Sequence, residues 1–249
     1  MIESGLPKDW RELQDKAAQI LSESGFEAHT DREISLARGT VSVDVLARDP
    51  SATPPTIYIC ECKHWQSAVP RNVVHAFRTV VIDAGAHRGF IISSGGFQSG
   101  AYEAAEHSNV DLVNWSEFQH LFVERWFRTF MAPTLVNEGD ALHEYTEPIN
   151  SRIARKASAL PANLQEQFGR LQEQYAIPSF VLLMLWYDPF TRKPKVPVLP
   201  LRSSLGPRAP IDLPPDILDA PALRPLMNVV SQFYRQATAE FDAVFGERA

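Results

Sequence analysis

Cysteine is almost missing: Cys60 and Cys62 are the only two in 249 residues. Two positions apart on an extended segment, they suit neither a structural disulfide nor a complete zinc centre. They read instead as small buried core thiols. Long apolar runs are lacking as well. The longest, Phe180 to Tyr187, has eight residues, far short of the roughly 20 that a membrane-crossing helix needs. The first residues carry Glu3, Lys8 and Asp9 without an apolar core segment. No signal peptide is expected there, and the expected location is cytoplasmic, with no membrane partner. The third absence is an excess of basic charge. Formal net charge is −6; residues 1–130 hold 12 cationic against 17 acidic side chains, and residues 131–249 hold 12 against 13. Neither part is a basic module that coats nucleic acid by charge alone. A nuclease is not excluded, because carboxylates that hold a metal still count as negative in this tally.

Proline is unevenly spread, with five in residues 1–130 and fourteen in residues 131–249. The chain therefore divides at about residue 130. In the first part Trp10, Leu13, Ala17, Ile20 and Leu21 recur at helical spacing, and Gly25 stands just past the helix end. Residues 26–36 and 40–48 alternate as two strands around the Arg38-Gly39 turn signal. A proline-bearing loop then leads to the strand that ends in Lys63. A helix with an inner face of Val73, Val74, Phe77, Val80 and Val81 follows, with Pro70 suited to its first turn. Next come a short strand at Gly89 to Ser93, a helix near 98–107, a strand at Val110 to Val113, and a helix capped by Ser116 and running to about Thr129. The order α-β-β-β-α-β-α-β-α predicts a mixed central sheet flanked by helices. The second part is expected to be irregular and proline-rich with at least two helices. Their stripes are Leu160, Leu164, Phe168, Leu171 and Tyr175, and Leu226, Val230, Phe233, Ala237, Phe241 and Val244. Between them, residues 188–215 carry Arg192, Lys193, Lys195, Arg202 and Arg208. That stretch reads as a solvated loop or as a surface for phosphate or a protein partner.

The chemistry concentrates at Asp44 and, seventeen residues later, Glu61-Cys62-Lys63. Strand alternation puts Glu61 and Lys63 on one face, about 7 Å apart along the strand, and Cys60 and Cys62 on the other. A hairpin pairing of 40–48 with 56–63 brings Asp44 beside Glu61. Two carboxylates held together repel unless a cation lies between them, and a hard oxygen site of that kind suits Mg2+. Lys63 adds a positive donor at its edge. Such a set can hydrolyse a phosphodiester, with the metal and the lysine meeting the charge that builds on the phosphate.

With the element order in hand, the first 120 or so residues resemble the Mrr-type restriction endonuclease domain, a branch of the PD-(D/E)xK nuclease superfamily. The resemblance rests on the opening helix from Leu13-Gln14 to Gly25, Gly39-Thr40-Val41-Ser42-Val43-Asp44, Glu61-Cys62-Lys63-His64-Trp65, the valine-rich helix Val73 to Val81, and Gly89-Phe90-Ile91-Ile92-Ser93-Ser94-Gly95-Gly96-Phe97 leading to Ala101. It implies Asp44, Glu61 and the Cys62 carbonyl as metal ligands, Lys63 as the catalytic lysine, and Mg2+ as cofactor with Mn2+ as a substitute. Where relatives often carry a glutamate on the opening helix, this chain has Gln14, which can reach a metal-bound water but brings no charge. The resemblance further implies an endonuclease acting on nucleic acid, DNA first, in a prokaryotic restriction or defence system. Residues 131–249 would be an accessory region that positions substrate or binds a defence-system partner. Double-strand cutting suggests a homodimer, for which the Leu226 to Val244 stripe is either an interface or intramolecular core. The alternatives are a catalytically inactive nuclease-fold scaffold and a structure-specific repair nuclease or resolvase.

Simpler readings stand beside these. Asp44, Glu61 and Lys63 could form a surface ion-pair cluster, although apolar strands around them argue that such charges need a reason. His64 reads as a solvated loop residue or a phosphate contact, and His75 and His87 have a weaker case for a role. Trp65 either stacks on a base or braces the loop, and Ser93 and Ser94 either donate to a phosphate or simply form a turn.

Overall fold

A computed structural model describes residues 1–36, 39–187, 191, 193–206 and 212–246. Arg38 of the expected turn, and Arg192 and Arg208 of the basic stretch, lie outside the described residues. Backbone contacts divide the chain into two compact units, Gly5–Phe130 with Met1, and Met131–Ala249 with Ile2–Ser4.

The first unit runs α1 (Trp10–Glu23), β1 (Glu27–Leu36), β2 (Gly39–Asp49), β3 (Thr56–Lys63), α2 (Arg71–Asp83), β4 (Arg88–Ser93), α3 (Ser99–Ala105), β5 (Val110–Val113) and α4 (Trp115–Trp126). This is the order the sequence predicts. The strands form one sheet in the order β1-β2-β3-β4-β5. The pairs β1–β2 and β2–β3 are antiparallel, while β3–β4 and β4–β5 are parallel. Local chemistry sets the element ends. The Asp9 carboxylate accepts the Glu12 N–H at 2.8 Å to open α1, and Gly25 takes the left-handed φ of +85° that closes it.

Both faces of the sheet are covered. On one, Val43, Ile59 and Ile91 pack against Val74, Phe77 and Val81 of α2. A Cβ on Gly89 would stand 2.6 Å from Val81 Cγ2, so glycine is what lets α2 approach β4 so closely. On the other face Phe90 meets Phe118 and Phe122 of α4 at ring-centroid distances of 5.9 and 5.8 Å. Cys60 and Cys62 are buried and unpaired as disulfides, as their spacing predicts.

The start of α4 differs from expectation. Asn114 is the cap: its side chain accepts the Glu117 N–H at 2.9 Å, and the Glu117 carboxylate accepts the Asn114 N–H at 2.8 Å. This reciprocal box satisfies two end donors at once, so Ser116 falls inside the first turn. The α-helix also stops at Trp126 rather than near Thr129, giving way to a π-helical turn, Phe127–Met131. Near its end, Arg125 grips Asp49 with both terminal nitrogens, at 2.5 and 2.9 Å, and donates from Nε to the Ser24 carbonyl at 2.7 Å. This pair fastens α4 to β2 and to the end of α1.

The second unit is more helical than its prolines suggest. It holds α5 (Ala132–Thr146), α6 (Ser151–Ser158), α7 (Ala162–Leu185), α8 (Leu201–Leu205), α9 (Pro215–Leu218) and α10 (Leu223–Phe245). Pro133 lies in the first turn of α5, where no N–H is required, and the buried Pro178 is carried inside α7. On α10, Leu226, Val230, Ala237, Phe241 and Val244 are all buried. Tyr145 of α5 stacks on Phe241 at 4.9 Å, and Phe168 of α7 meets the same ring at 5.6 Å. Phe233 of the same stripe is half-buried and meets Tyr175 of α7 at 5.6 Å, so the stripe serves chiefly as the core of this unit. Among the described residues no helix is long and apolar enough to cross a membrane.

Candidate functional site

The ladder between β2 and β3 runs from Asp49–Thr56 to Val45–Cys60 and then ends. One step beyond its last rung stand Asp44 and Glu61. Asp44 turns its carboxylate into the gap, and Oδ2 accepts the Cys62 N–H at 2.6 Å. From above, Gln14 of α1 donates from Nε2 to the Asp44 main-chain carbonyl at 2.9 Å. Asp44 is thus held at both its backbone and its side chain. Gln14 is only 1% exposed, and its Oε1 is buried without a hydrogen-bond partner.

Glu61 and Lys63 share a face, as strand alternation requires, and their side chains form a close ion pair. Burial raises the Glu61 carboxyl above its usual range; the Lys63 ammonium opposes that shift and the neighbouring Asp44 charge adds to it. Two carboxylates therefore interact in a partly desolvated place. Burial also pushes the Cys60 and Cys62 thiols up, so both stay protonated and neither offers a thiolate to a metal. Among the described residues no three or more His, Cys, Asp or Glu side chains gather to hold a metal. The donors near Asp44 are instead two carboxylates and the unpartnered amide oxygen of Gln14. An all-oxygen set of that kind fits a hard divalent cation and does not fit zinc.

The loop after Lys63 is braced from β4. Ser94 donates its N–H to the Lys63 carbonyl at 3.1 Å and its hydroxyl to the Trp65 carbonyl at 3.0 Å. Ser93 Oγ donates to the Gly96 carbonyl at 3.1 Å. Both hydroxyls thus serve the turn. His64 Nε2 lies 3.1 Å from the Pro7 carbonyl, and His87 Nδ1 accepts the Ile57 N–H at 3.0 Å. Trp65 remains at the rim, with Lys63 Nζ 5.2 Å from its ring centroid. Behind the loop lies a cleft of about 330 Å³, bordered by Leu13, His64, Ser93, Ser94 and Trp115. Sequence reasoning did not find this bracing by Ser94. Its only signal is the close spacing of Ser94 and Gly95 at the end of a strand.

A mixed sheet with helices on both faces, bearing an aspartate and a Glu-x-Lys strand where two strands part, defines the restriction-endonuclease-like class. Within it, residues 8–122 match the family described as restriction endonuclease, Mrr_cat. That match is consistent with an Mrr-type domain of the PD-(D/E)xK nuclease superfamily. The chain is also similar to a solved structure described as a protein of unknown function, AF1548, with 14% identity, 96% of this chain and 99% of that chain covered, and a TM-score of 0.40. No curated protein matches the chain.

Proposed function

We propose that this chain is a divalent-metal-dependent endonuclease that hydrolyses phosphodiester bonds, with DNA as its substrate, and that it works in a prokaryotic restriction or defence system. The observation that carries this reading is the placement of Asp44 and Glu61 one step past the last β2–β3 rung, with Lys63 against Glu61. In this reading Asp44, Glu61 and the Cys62 carbonyl hold Mg2+, or Mn2+ in its place, and the unpartnered Oε1 of Gln14 is a further oxygen donor. When bound, the cation supplies positive charge opposite the phosphate.

The chain's own residues do the rest. The Cys62 N–H orients the Asp44 carboxylate, so no reorganisation is needed when substrate arrives. Gln14 holds the Asp44 backbone. Lys63 is fixed between Glu61 and the Trp65 ring, where its ammonium can orient the attacking water and stabilise negative charge on the phosphoryl oxygens. Residues 131–249 then select or position substrate, or bind a defence-system partner. The neutral Gln14 favours a second reading, a nuclease fold kept as a binding scaffold.

Mg2+-dependent cleavage of plasmid and single-stranded DNA by the wild type and by Lys63→Ala separates the two. Cleavage by the wild type that falls at least about 100-fold in the variant supports the nuclease, by the scale of removing one charged donor from a preorganised site. Equal activity, or equal inertness, removes the assignment.

A further inference from the structure

Three of the five tryptophans are core residues: Trp115, Trp126 and Trp186 are 3%, 0% and 0% exposed. The other two, Trp10 and Trp65, are 51% and 39% exposed; Trp65 borders Lys63, and Trp10 opens the helix that carries Gln14. Trp65 lies two residues past Lys63, with the ammonium 5.2 Å from its ring centroid. Trp10 opens α1 four residues before Gln14, and residues four apart lie on the same helix face with Cβ atoms about 5–6 Å apart. Because Gln14 reaches the Asp44 carbonyl, Trp10 stands one turn outward from the site. The His64 contact to the Pro7 carbonyl ties the segment carrying Trp65 to the segment that leads into Trp10. The two tryptophans therefore stand on segments that are tied to each other beside the site.

Neither ring is held there by core packing, yet both are held. The Trp65 backbone is fixed by the Ser94 hydroxyl at 3.0 Å. Trp10 sits on a helix start capped by Asp9, and the Arg11 guanidinium carbon is 4.8 Å from its ring centroid. Rigid aromatic faces beside cations are what unpaired bases stack on. A duplex hides its base faces and must be held mainly through phosphate, for which a chain of net charge −6 is poorly supplied.

We propose that Trp10 and Trp65 form a stacking platform for unpaired bases on either side of the scissile phosphate, so that the site takes single-stranded nucleic acid or a locally unpaired segment. This rests on the nuclease reading of Asp44, Glu61 and Lys63, and binding measured without metal separates the two.

The test is tryptophan fluorescence of the full chain in EDTA, titrated with a single-stranded oligodeoxynucleotide of about 12 residues, within the usual site sizes. Its RNA counterpart and the same DNA annealed to its complement form the other arms. The expected result is quenching by the single strands, with much weaker binding of the duplex and little loss between low and moderate salt. The RNA arm reports whether the sugar is read. Trp10→Ala, which touches neither Lys63 nor Glu61, should weaken single-strand binding about 5- to 150-fold, the range for losing one stacked base. Trp65→Ala should do the same and remove part of the quenching. Duplex binding as tight as single-strand binding, or unchanged single-strand binding in both variants, overturns the platform. If the strands bind as expected but Mg2+ brings no cleavage, the platform stands and the nuclease reading falls.

Discussion

Asp44 and Cys62 close the β2–β3 ladder with a side chain in place of a backbone rung: the Asp44 carboxylate accepts the Cys62 N–H at 2.6 Å. The strands can part there without leaving that buried donor unsatisfied. One carboxylate oxygen serves the fold, and in the proposed site the other is the one offered to the cation.

Substitutions at Asp44 should separate those two roles. Asp44→Asn retains an oxygen that can accept the Cys62 N–H but removes the charge. It should melt within a few degrees of the wild type while losing cleavage by on the order of 100-fold or more. Asp44→Ala should lose cleavage equally and also destabilise the first unit by about 1–3 kcal/mol, the cost of a buried unpaired N–H. Thermal melts paired with a plasmid-cleavage assay check both. Asp44→Asn cleaving at the wild-type rate would remove Asp44 from the chemistry.

The Arg125–Asp49 pair makes stability depend on acid. Asp49 is buried, and the Arg125 guanidinium, ahead of the Ser51 hydrogen bonds, holds its carboxyl well below the usual carboxylate range. Because the folded value is depressed, the pair's stabilisation is fully present above the unfolded value of about 4. It is lost as pH falls from there toward the lower folded value. Arg125→Met should destabilise the first unit by about 2–4 kcal/mol, since it strands a buried carboxylate. The deficit should shrink between about pH 5 and pH 3 as the wild type loses its own advantage. Urea melts of both proteins across that interval measure it; a deficit that does not change with pH would mean packing alone.

The residues legible in the sequence are those governed by short periods. Alternation places Glu61 and Lys63 on one face of β3, and the three- and four-residue spacing of Leu13, Ala17, Ile20 and Leu21 marks the buried side of α1. What escapes is decided by partners far along the chain or by competition between near-equal local options. Asp49 and Arg125 are 76 positions apart. Asn114 and Ser116 can each cap a helix, and only the return contact from Glu117 selects Asn114. In the second unit the many prolines suggest irregular chain, yet α7 carries Pro178 inside it, buried, at the loss of one helical hydrogen bond.

Gly95 should prove as sensitive as a site residue although it has no side chain. A Cβ there would stand 2.5 Å from the Trp65 carbonyl oxygen and 2.6 Å from that of Ser67, both backbone atoms that cannot swing aside. Gly95→Ala must therefore push the loop after Lys63 away from β4. The expected outcome is about 1–3 kcal/mol of destabilisation, the usual range for overpacking, together with a change in Trp65 fluorescence. An unchanged spectrum and melt would show that the loop yields without cost.

Gln14→Glu tests whether the amide at the head of the site is a deliberate absence of charge. The variant keeps the shape, but when ionised it loses the Nε2 donor to the Asp44 carbonyl and adds a third carboxylate beside Asp44 and Glu61, at a position only 1% exposed. Without a divalent cation it should be less stable than the wild type by about 2–4 kcal/mol, the scale of a poorly compensated buried charge. Saturating Mg2+ or Mn2+ should restore much of this, because a ligand at 100 times its Kd adds about 2.7 kcal/mol to the folded state. The cation-induced rise in Tm should accordingly be larger for Gln14→Glu than for the wild type. Equal rises in the two proteins would place the cation away from Gln14.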